Sequence, residues 1–570
     1  MIQKKYIVVI ALTLCSTITL AQGKKVWASG AARSVFQQNK LNSAGDTITP
    51  TNLNSGNTLV DVALNARPNA NTFVHAMVRV RNDFGGFWGS GVTFDMRQMY
   101  LKGLVNDAVR YQLGDINYKL SPYTFFNNQE ELSSHQSEVL HIYRDMVHYD
   151  LFYTDDNTWR QQGAAVDFTL EFSKAVKELQ VNSFMFRNRP TDFGQSSERI
   201  FFGGNATLLQ SDKLAVGLNY VDMMDVLGTS RSDMAFHNPV ITGTTEIHQK
   251  VNAYDLSFTS ESGISEMYTL NDPNAKGLRD YFYDLDLKIT RGDKLPSLSV
   301  NYINVGPQFR SVGAQSRRIN FESQAQMFNR YGNDQVVRPV TQLDMMQDAS
   351  LYQPTLSMEL QRFAPQYDNV QPYGKATPNR KGLSINAVHS TNNELINVDA
   401  TYRMLSEVVG QGTDELRTFN VIDLSALIRL DTLMPNVKHP LEVSLGITNQ
   451  NTQRDIALDT ADVDFTSTMV DLGVKVGLSK DFAIIGSYRM INAKGLEFLN
   501  TRNDYSEIVD FERFNTEMNQ SIMSVALRYT FDEKNHLNIV WQKLNYEDAA
   551  NSETPAFDLS QFGIVYSMYF

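Results

Sequence analysis

At 570 residues, with 51 Lys and Arg against 63 Asp and Glu, the chain carries a formal charge of −12, which argues against a broad basic surface for nucleic acid. Aromatic residues make up 11% of it, yet no segment beyond the N-terminal leader reaches the ~18 consecutive apolar residues that a membrane helix needs. If such a chain crosses a bilayer, it does so as a closed barrel.

The chain begins Met1-Ile2-Gln3-Lys4-Lys5, continues as an apolar run from Tyr6 to Leu20 and reaches Ala21-Gln22. A basic start, a hydrophobic stretch and a small residue before the cut make residues 1–21 a secretory signal peptide. The single cysteine, Cys15, lies inside it, and Leu14 stands where a lipoprotein needs a small residue, so cleavage after Ala21 is expected rather than lipidation. The mature chain then has no thiol, which excludes disulfides, cysteine-bound metals and a cysteine nucleophile. Residues 22–71 precede the first clear span and are read as a periplasmic or lumen-entering extension. Residues 72–570 are read as an outer-membrane β-barrel.

From Thr72 onward, segments of about 10–15 residues alternate apolar and polar with a period of two. On the first span Val74, Ala76, Val78 and Val80 suit lipid, which turns His75, Arg79 and Arg81 inward; Asp95 and Arg97 share the polar face of the next. Tyr281, Tyr283, Leu285, Leu287 and Ile289 alternate with Asp284, Asp286 and Lys288, and Leu441, Val443, Leu445 and Ile447 with Glu442, Ser444, Gly446 and Thr448. The same reasoning makes Arg110, Asp167, Glu171, Asp255, Asp423, Arg429 and Arg489 further candidates to line a lumen. Facing rows of opposite charge would orient dipolar solutes in a channel, or would pair with one another and fill a plugged one.

A soluble sandwich also alternates, so the connections decide. Short polar turns stand at Ser211-Asp212-Lys213, Gly292-Asp293-Lys294, Ser479-Lys480-Asp481 and Asp532-Glu533-Lys534-Asn535, and long polar stretches at 121–162, 227–246, 308–354 and 492–518. Counting between short turns, with Ser260-Glu261-Ser262-Gly263 taken as one more, gives about 20 strands, with roughly 18–22 allowed. Pro354 to Phe363 looks like a strand but lacks a partner. The fold class is therefore all-β: a transmembrane antiparallel β-barrel with short periplasmic turns and long extracellular loops. The loop from Arg310 to Asp348 is the candidate to fold inward, carrying Arg310, Arg317, Arg318 and Arg330 towards the acidic wall.

The chemistry-bearing motifs are weak. The Gly-x-Ser-x-Gly elbow, His-Glu-x-x-His and a Gly-rich phosphate loop are absent. His135, His141 and His148 are spaced by six and seven residues, which fits no standard metal pair, and Asp284-Leu285-Asp286, Asp462-Val463-Asp464 and Thr154-Asp155-Asp156 lack the calcium-loop pattern. No catalytic residue, metal ligand or cofactor is expected. Gly114-Asp115 closes a stretch, Val109 to Ile116, that resembles porin strands running into a Gly-Asp at the extracellular rim; a glycine relieving crowding at a bend reads equally well. Gly306-Pro307 breaks a strand and begins a long loop.

The chain ends with an apolar face of Phe562, Ile564, Tyr566, Met568 and Phe570, which resembles the C-terminal signal that outer-membrane proteins present to the barrel assembly machinery. With the Ala21-Gln22 junction and the aromatic content, the chain resembles porin-like outer-membrane barrels of Gram-negative Bacteroidota, without pointing to a specific family. That resemblance implies a cell outer membrane location, surrounding lipid, and the assembly machinery as a partner in biogenesis. Two functional readings follow. One is a porin-like channel or transporter for small hydrophilic solutes; the other is a non-enzymatic structural subunit of an outer-membrane secretion or assembly complex, its 21 Met residues and the loop Tyr123-Thr124-Phe125-Phe126 offering contact surface to other envelope proteins.

Overall fold

The computed structural model describes residues 25–43, 51–84, 92–126, 135, 137–140, 142, 159–189, 197–231, 235–270, 277–291, 296–315, 369–391, 393–434, 439–455, 462–502, 508–550 and 556–570. Twenty-two antiparallel strands form one sheet that closes on itself. The first half comprises β1 (Val26–Ser43), β2 (Thr51–Asn69), β3 (Thr72–Asp83), β4 (Val92–Val105), β5 (Val109–Tyr118), β6 (Trp159–Glu171), β7 (Glu178–Arg189), β8 (Arg199–Ser211), β9 (Leu214–Asp225), β10 (Phe236–Val251) and β11 (Tyr254–Thr269). The second comprises β12 (Leu278–Arg291), β13 (Ser297–Val305), β14 (Arg380–Ser390), β15 (Ile396–Ser406), β16 (Thr418–Arg429), β17 (Leu441–Arg454), β18 (Val463–Gly477), β19 (Phe482–Arg502), β20 (Ile508–Asp532), β21 (Asn535–Asp548) and β22 (Phe557–Tyr569). Strands adjacent in sequence pair with each other, and β1 closes onto β22 from Ala31 opposite Tyr569 to Ser43 opposite Phe557. The Phe570 N–H donates to the Gly30 carbonyl at 3.0 Å, and the Gly30 N–H donates to the Phe570 carbonyl at 2.9 Å.

The alternation read from the sequence is the alternation of the wall. On β12 Tyr281, Leu285 and Leu287 are exposed while Phe282 and Asp284 are buried, because a residue's two neighbours point to the opposite side of the sheet. Exposed apolar side chains ring the outside of every sector: Val62 and Leu64 on β2, Leu218 on β9, Leu424 on β16, Ile484 on β19, Val525 on β20 and Trp541 on β21. A continuous apolar exterior around a barrel without free edges is a membrane-spanning wall, and a single-chain barrel of this build belongs to an outer membrane. At the rim that carries residues 26 and 570, two-residue turns occur at 70–71, 212–213, 252–253 and 533–534; at the other rim stand the longest connections, 119–158 and 306–379. Asn106 and Asp107 in one short turn, and Asn252 in another, have positive φ of 51–55°, the left-handed conformation that tight hairpins demand and that Asn and Asp tolerate.

Four expectations are corrected. Residues 22–71 are not an extension: β1 and β2 are barrel strands paired along their whole length. The outward side of β1 is small or polar at Ala28, Gly30, Ala32, Ser34, Gln38 and Lys40, with Phe36 among them, while its inward side mixes Ala31 and Val35 with Arg33, Gln37 and Asn39, so the usual contrast between faces is weak there. Ser260 to Gly263 is no turn but the middle of β11, opposite Leu285 to Phe282 of β12; Glu261 is buried on the inner side, and Ser260 and Ser262 interrupt the outward apolar row opposite Leu285 and Tyr283. The stretch 227–246 contains only a short connection, because β10 already begins at Phe236. The polar stretch 492–518 is mostly strand: β19 and β20 stay paired out to Asn500 and Phe511, beyond the apolar band that ends near Met490 and Met523. Outward Asn492, Lys494, Glu517 and Asn519 resemble a loop in sequence because that part of the hairpin stands in water. The segment 354–363 and residues Arg317, Arg318, Arg330, His141, His148 and 154–156 lie outside the described residues.

Candidate functional site: the lumen and its inserted segments

The interior is organised by two connections that turn back into it from the long-loop rim. Gly306-Pro307 ends β13, and a Cβ at Gly306 would stand 2.1 Å from the Asp280 carboxylate, so only glycine fits where the chain turns inward. Residues 309–315 then pack with 121–126 of the other connection against the inner faces of β7–β13. Phe125 lies 5.2 Å from Phe184 and 4.9 Å from Phe201, centroid to centroid; Tyr123 stacks on Phe282 at 3.8 Å, and Phe309 meets Phe282 edge-on at 5.0 Å. These inward aromatics give the segment its apolar seat.

Polar groups in this cluster are paired. The Tyr123 hydroxyl donates to Asp284 at 3.1 Å and the Lys375 ammonium donates to the same carboxylate at 2.9 Å. Asn238 accepts from the Val312 N–H at 3.0 Å and donates to the Arg310 carbonyl at 3.0 Å. The two connections also hold each other, through Phe126 N–H to the Gly313 carbonyl at 3.0 Å. The returning residues 369–379 extend the filling: Val370 packs with Ile303, Leu405, Phe419 and Val421, and Asn369 donates to Thr452 at 2.7 Å.

The connection between β5 and β6 goes deeper. Tyr118 leaves β5 at the long-loop rim, and twenty residues later Glu138 binds Lys475 and Arg528. Lys475 is two positions from the end of β18 at the short-turn rim. The adjacent Val139, Leu140 and Ile142 pack on Val35, Ile485, Ile522, Ala526 and Leu544, an apolar patch set among polar residues such as Gln37, Ser524 and Gln542 on the inner face of β19–β1. Burial alone would push the Glu138 carboxyl up, but hydrogen bonds and charge from Lys475 and Arg528 outweigh it and hold the carboxyl below its usual range. Burial lowers His135 nearby, with Asp399 opposing. The segment thus crosses the lumen from one rim almost to the other.

The inserted segments reach β5 and β6 where Ile116, Tyr118 and Ala165 join the aromatic cluster; among the described residues none packs on the rest of the β3–β6 inner wall. There the Arg110 side chain is 72% exposed and its partner Asp167 30%, and Asp95 is exposed opposite Arg79. Deeper in the same wall Arg79 makes a two-pronged contact with Asp61, at 2.7 and 2.6 Å, with both side chains almost wholly buried. His75 bonds Asn65 at 2.8 Å and stacks on Tyr100 at 4.8 Å. Arg81 is half-buried on this face, and Arg97 sits at the irregularity where the β3–β4 register shifts. Gly114, with φ of +95°, is in mid-strand rather than at the rim, and Asp115 beside it accepts the Met99 N–H; this is the bend reading.

The remaining sequence candidates are scattered. Asp286 and Lys288 follow Asp284 along the inner face of β12. Glu171 ends β6 at the short-turn rim, and Asp255 stands near the same rim, 3.9 Å from Lys250. Arg429 ends β16 and binds Glu394 of a short turn at 2.9 Å. Asp423 pairs with Arg403 at 2.8 Å, and Arg489 with cross-strand Asp471 in a buried contact. Phe562, Ile564, Tyr566, Met568 and Phe570 form one outward row of β22 at the seam. Sequence reasoning missed Asp61 because β2 was not read as a wall, and it missed Glu138, Lys475 and Arg528 because a residue 138 positions along and two on distant strands share no local pattern. Arg417, which binds Glu407 at 2.7 Å and Glu497 at 2.9 Å, was missed for the same reason.

No known protein-family profile matches the chain, and no curated protein matches its sequence. Solved structures of similar build include OccAB4 from Acinetobacter baumannii, at 8% identity over 95% of this chain and 98% of that one with a TM-score of 0.31. A BenF-like porin from Pseudomonas fluorescens Pf-5 is 9% identical over 96% and 99% with a TM-score of 0.34. The outer membrane protein opdK from Pseudomonas aeruginosa is 9% identical over 95% and 99% with a TM-score of 0.33. At these values the resemblance is one of general build.

Proposed function

We propose that this chain is an outer-membrane porin-like channel or transporter for small hydrophilic solutes, exported by its leader at residues 1–21 and of the Bacteroidota type. The observation that carries the reading is the uneven filling of the lumen. Inserted segments seat on β7–β1 and on part of β5 and β6, while elsewhere on the β3–β6 wall the charged side chains of Arg110 and Asp95 face water. A structural barrel that only needs a stable interior has no use for exposed arginine on one inner wall; a path for solutes does. The inserted segments narrow that path and set which solutes enter. The solved porins of similar build are consistent with this activity.

The test is purified protein in planar bilayers and in liposomes with small sugars outside. Stable open-channel current and sugar entry that change with Arg110→Glu are expected. A silent barrel that is recovered from membranes only with a fixed set of other envelope proteins would instead favour the structural-subunit reading.

A further inference from the structure

The exterior carries a feature that solute passage does not use. Where β19, β20, β21, β22 and β1 emerge from the apolar band, their outward side chains line a shallow groove of about 500 Å³. Its lining includes Asn42, Asn492, Asn519, Asn545, Glu547 and Asp558, with Tyr488 and Met490 on the membrane side. Most of the lining, Asn42, Asn492, Asn519, Asn545 and Asp558, is outward, since Ile491, Leu544 and Leu559 of the same strands are buried on the inner side; Gln520, Tyr546 and Phe557 of the inner side border its floor. The pairing lays out two adjacent polar rows, Asn492 opposite Asn519 opposite Glu547, and Ser521 opposite Asn545 opposite Asp558 opposite Asn42. Asn42 donates to Asp558 at 2.9 Å and Asn545 to Ser521 at 3.1 Å.

One outward position closer to the membrane stand two lysines. Lys40 and Lys543 are the cross-strand partners of the same residue, Ser560, from its two sides, so their backbones lie roughly 10 Å apart. Neither ammonium takes part in an ion pair among the described residues. One further position inward come Trp541 and Phe562, both exposed, in the belt where aromatics mark the membrane interface. Going outward from the bilayer, the order is therefore apolar wall, aromatic belt, paired cations, then the rows of amides and carboxylates.

That order matches one kind of molecule. We infer that this groove binds the headgroup of a phosphorylated glycolipid of the outer leaflet. Acyl chains lie along Trp541 and Phe562, phosphate is held between Lys40 and Lys543, and sugar hydroxyls bond the amides above. Asp558 and Glu547 accept from hydroxyls; as anions they disfavour phosphate higher in the groove and so fix the headgroup's orientation. The site is on the opposite side of the wall from the solute path, and neither depends on the other.

The test uses the full-length protein, extracted and stripped of lipid, and then offered lipid A in its bis-phosphorylated and phosphate-free forms, with retained lipid read by native mass spectrometry. Wild type is expected to retain the phosphorylated form about tenfold or more over the other. The Lys40→Glu/Lys543→Glu variant should lose that preference while keeping the heat-modifiable migration of a folded barrel. If it does not fold, Lys40→Gln/Lys543→Gln serves in its place. Equal retention of both forms by wild type, or an unchanged preference in the folded variant, overturns the inference. Displacement of the bound lipid by millimolar inorganic phosphate alone also overturns it, since the groove would then be a site for free anions.

Discussion

The carboxylate of Glu138 meets the ammonium of Lys475 close to the short-turn mouth, although the chain segment carrying Glu138 enters the barrel from the opposite rim. Arg528 holds the other carboxylate oxygen. Charge-assisted bonds to two cations make Glu138 the charged anchor of the inserted turn, whose other attachments here are apolar apart from the Ser137 hydroxyl, which donates to the Gly486 carbonyl at 3.3 Å.

Glu138→Gln should therefore loosen residues 135–142 and leave the wall intact. The expected outcome is a larger or more frequently fluctuating single-channel current, with faster hydrogen exchange confined to this segment. Because the folded-state carboxyl is held below its ordinary value of 4.5, its contribution is present above that value and is lost as pH falls through the lower folded value. Wild type should thus keep the anchor at neutral pH and approach the behaviour of Glu138→Gln only in acid below that range. Indistinguishable traces for the two proteins at pH 7 would remove Glu138 from this role.

The same contact can be locked. A Cβ placed on Gly473 would come 2.1 Å from the Ser444 hydroxyl and 2.7 Å from the Cβ of Ser137, so rotation of Ser444 away and a small shift of the inserted turn bring a pair of cysteines into range. The sequence holds one cysteine, Cys15, which a Cys15→Ser change removes from competition. Ser137→Cys/Gly473→Cys should oxidise spontaneously, narrow the path, and recover on reduction. Failure to form the bridge in a correctly folded barrel would place the turn elsewhere.

The aromatic seat should behave as a small core. Phe125→Ala removes a fully buried ring that touches Phe184, Phe186 and Phe201, at a cost of about 3–5 kcal/mol to the inserted segment. Proteolysis within 119–158 should accelerate, while the heat-modifiable migration of the barrel stays close to wild type. A collapse of the whole barrel would show that the segment is part of the wall's stability.

Two arginines of one wall should give opposite phenotypes. Arg79→Ala strands a buried Asp61 charge and should destabilise the folded barrel by about 3–5 kcal/mol. Arg110→Ala removes a largely exposed group whose ion pair contributes little to stability. It should leave unfolding in urea unchanged and instead shift the reversal potential measured in a salt gradient. Matching stability losses in both variants would contradict the difference in burial.

The wall was legible in the sequence wherever one face met lipid and the other met water. On β12, Leu285 and Leu287 against Asp284 and Asp286 give that contrast directly. It vanished where something covers the inner face: Ile485 and Ile491 of β19 are as apolar as outward Ile484, because the inserted segment or an inner cluster packs against them. It also weakened on β1, where the outside between Val26 and Phe36 is small or polar. The inward orientation of Arg489 could be read from its strand alone, but its partnership with Asp471 could not, since cross-strand register is set by pairing along the whole strand. The anchor of Glu138 was illegible for a stronger reason: its partners lie 337 and 390 positions away, and only closure of the barrel brings them together.

The seam between β1 and β22 imposes an order of events on assembly. Until Phe570 bonds Gly30 the sheet has two open edges and no enclosed interior. The turn at Glu138 needs Lys475 on β18, Arg528 on β20 and apolar contacts from both sides of the seam, Val35 on β1 and Val565 on β22. Its final seat therefore comes into existence only as the last hairpin arrives. The stopper and its vessel are completed in one step, so a barrel interrupted before closure would hold its inserted segments unmoored and its apolar inner surface bare.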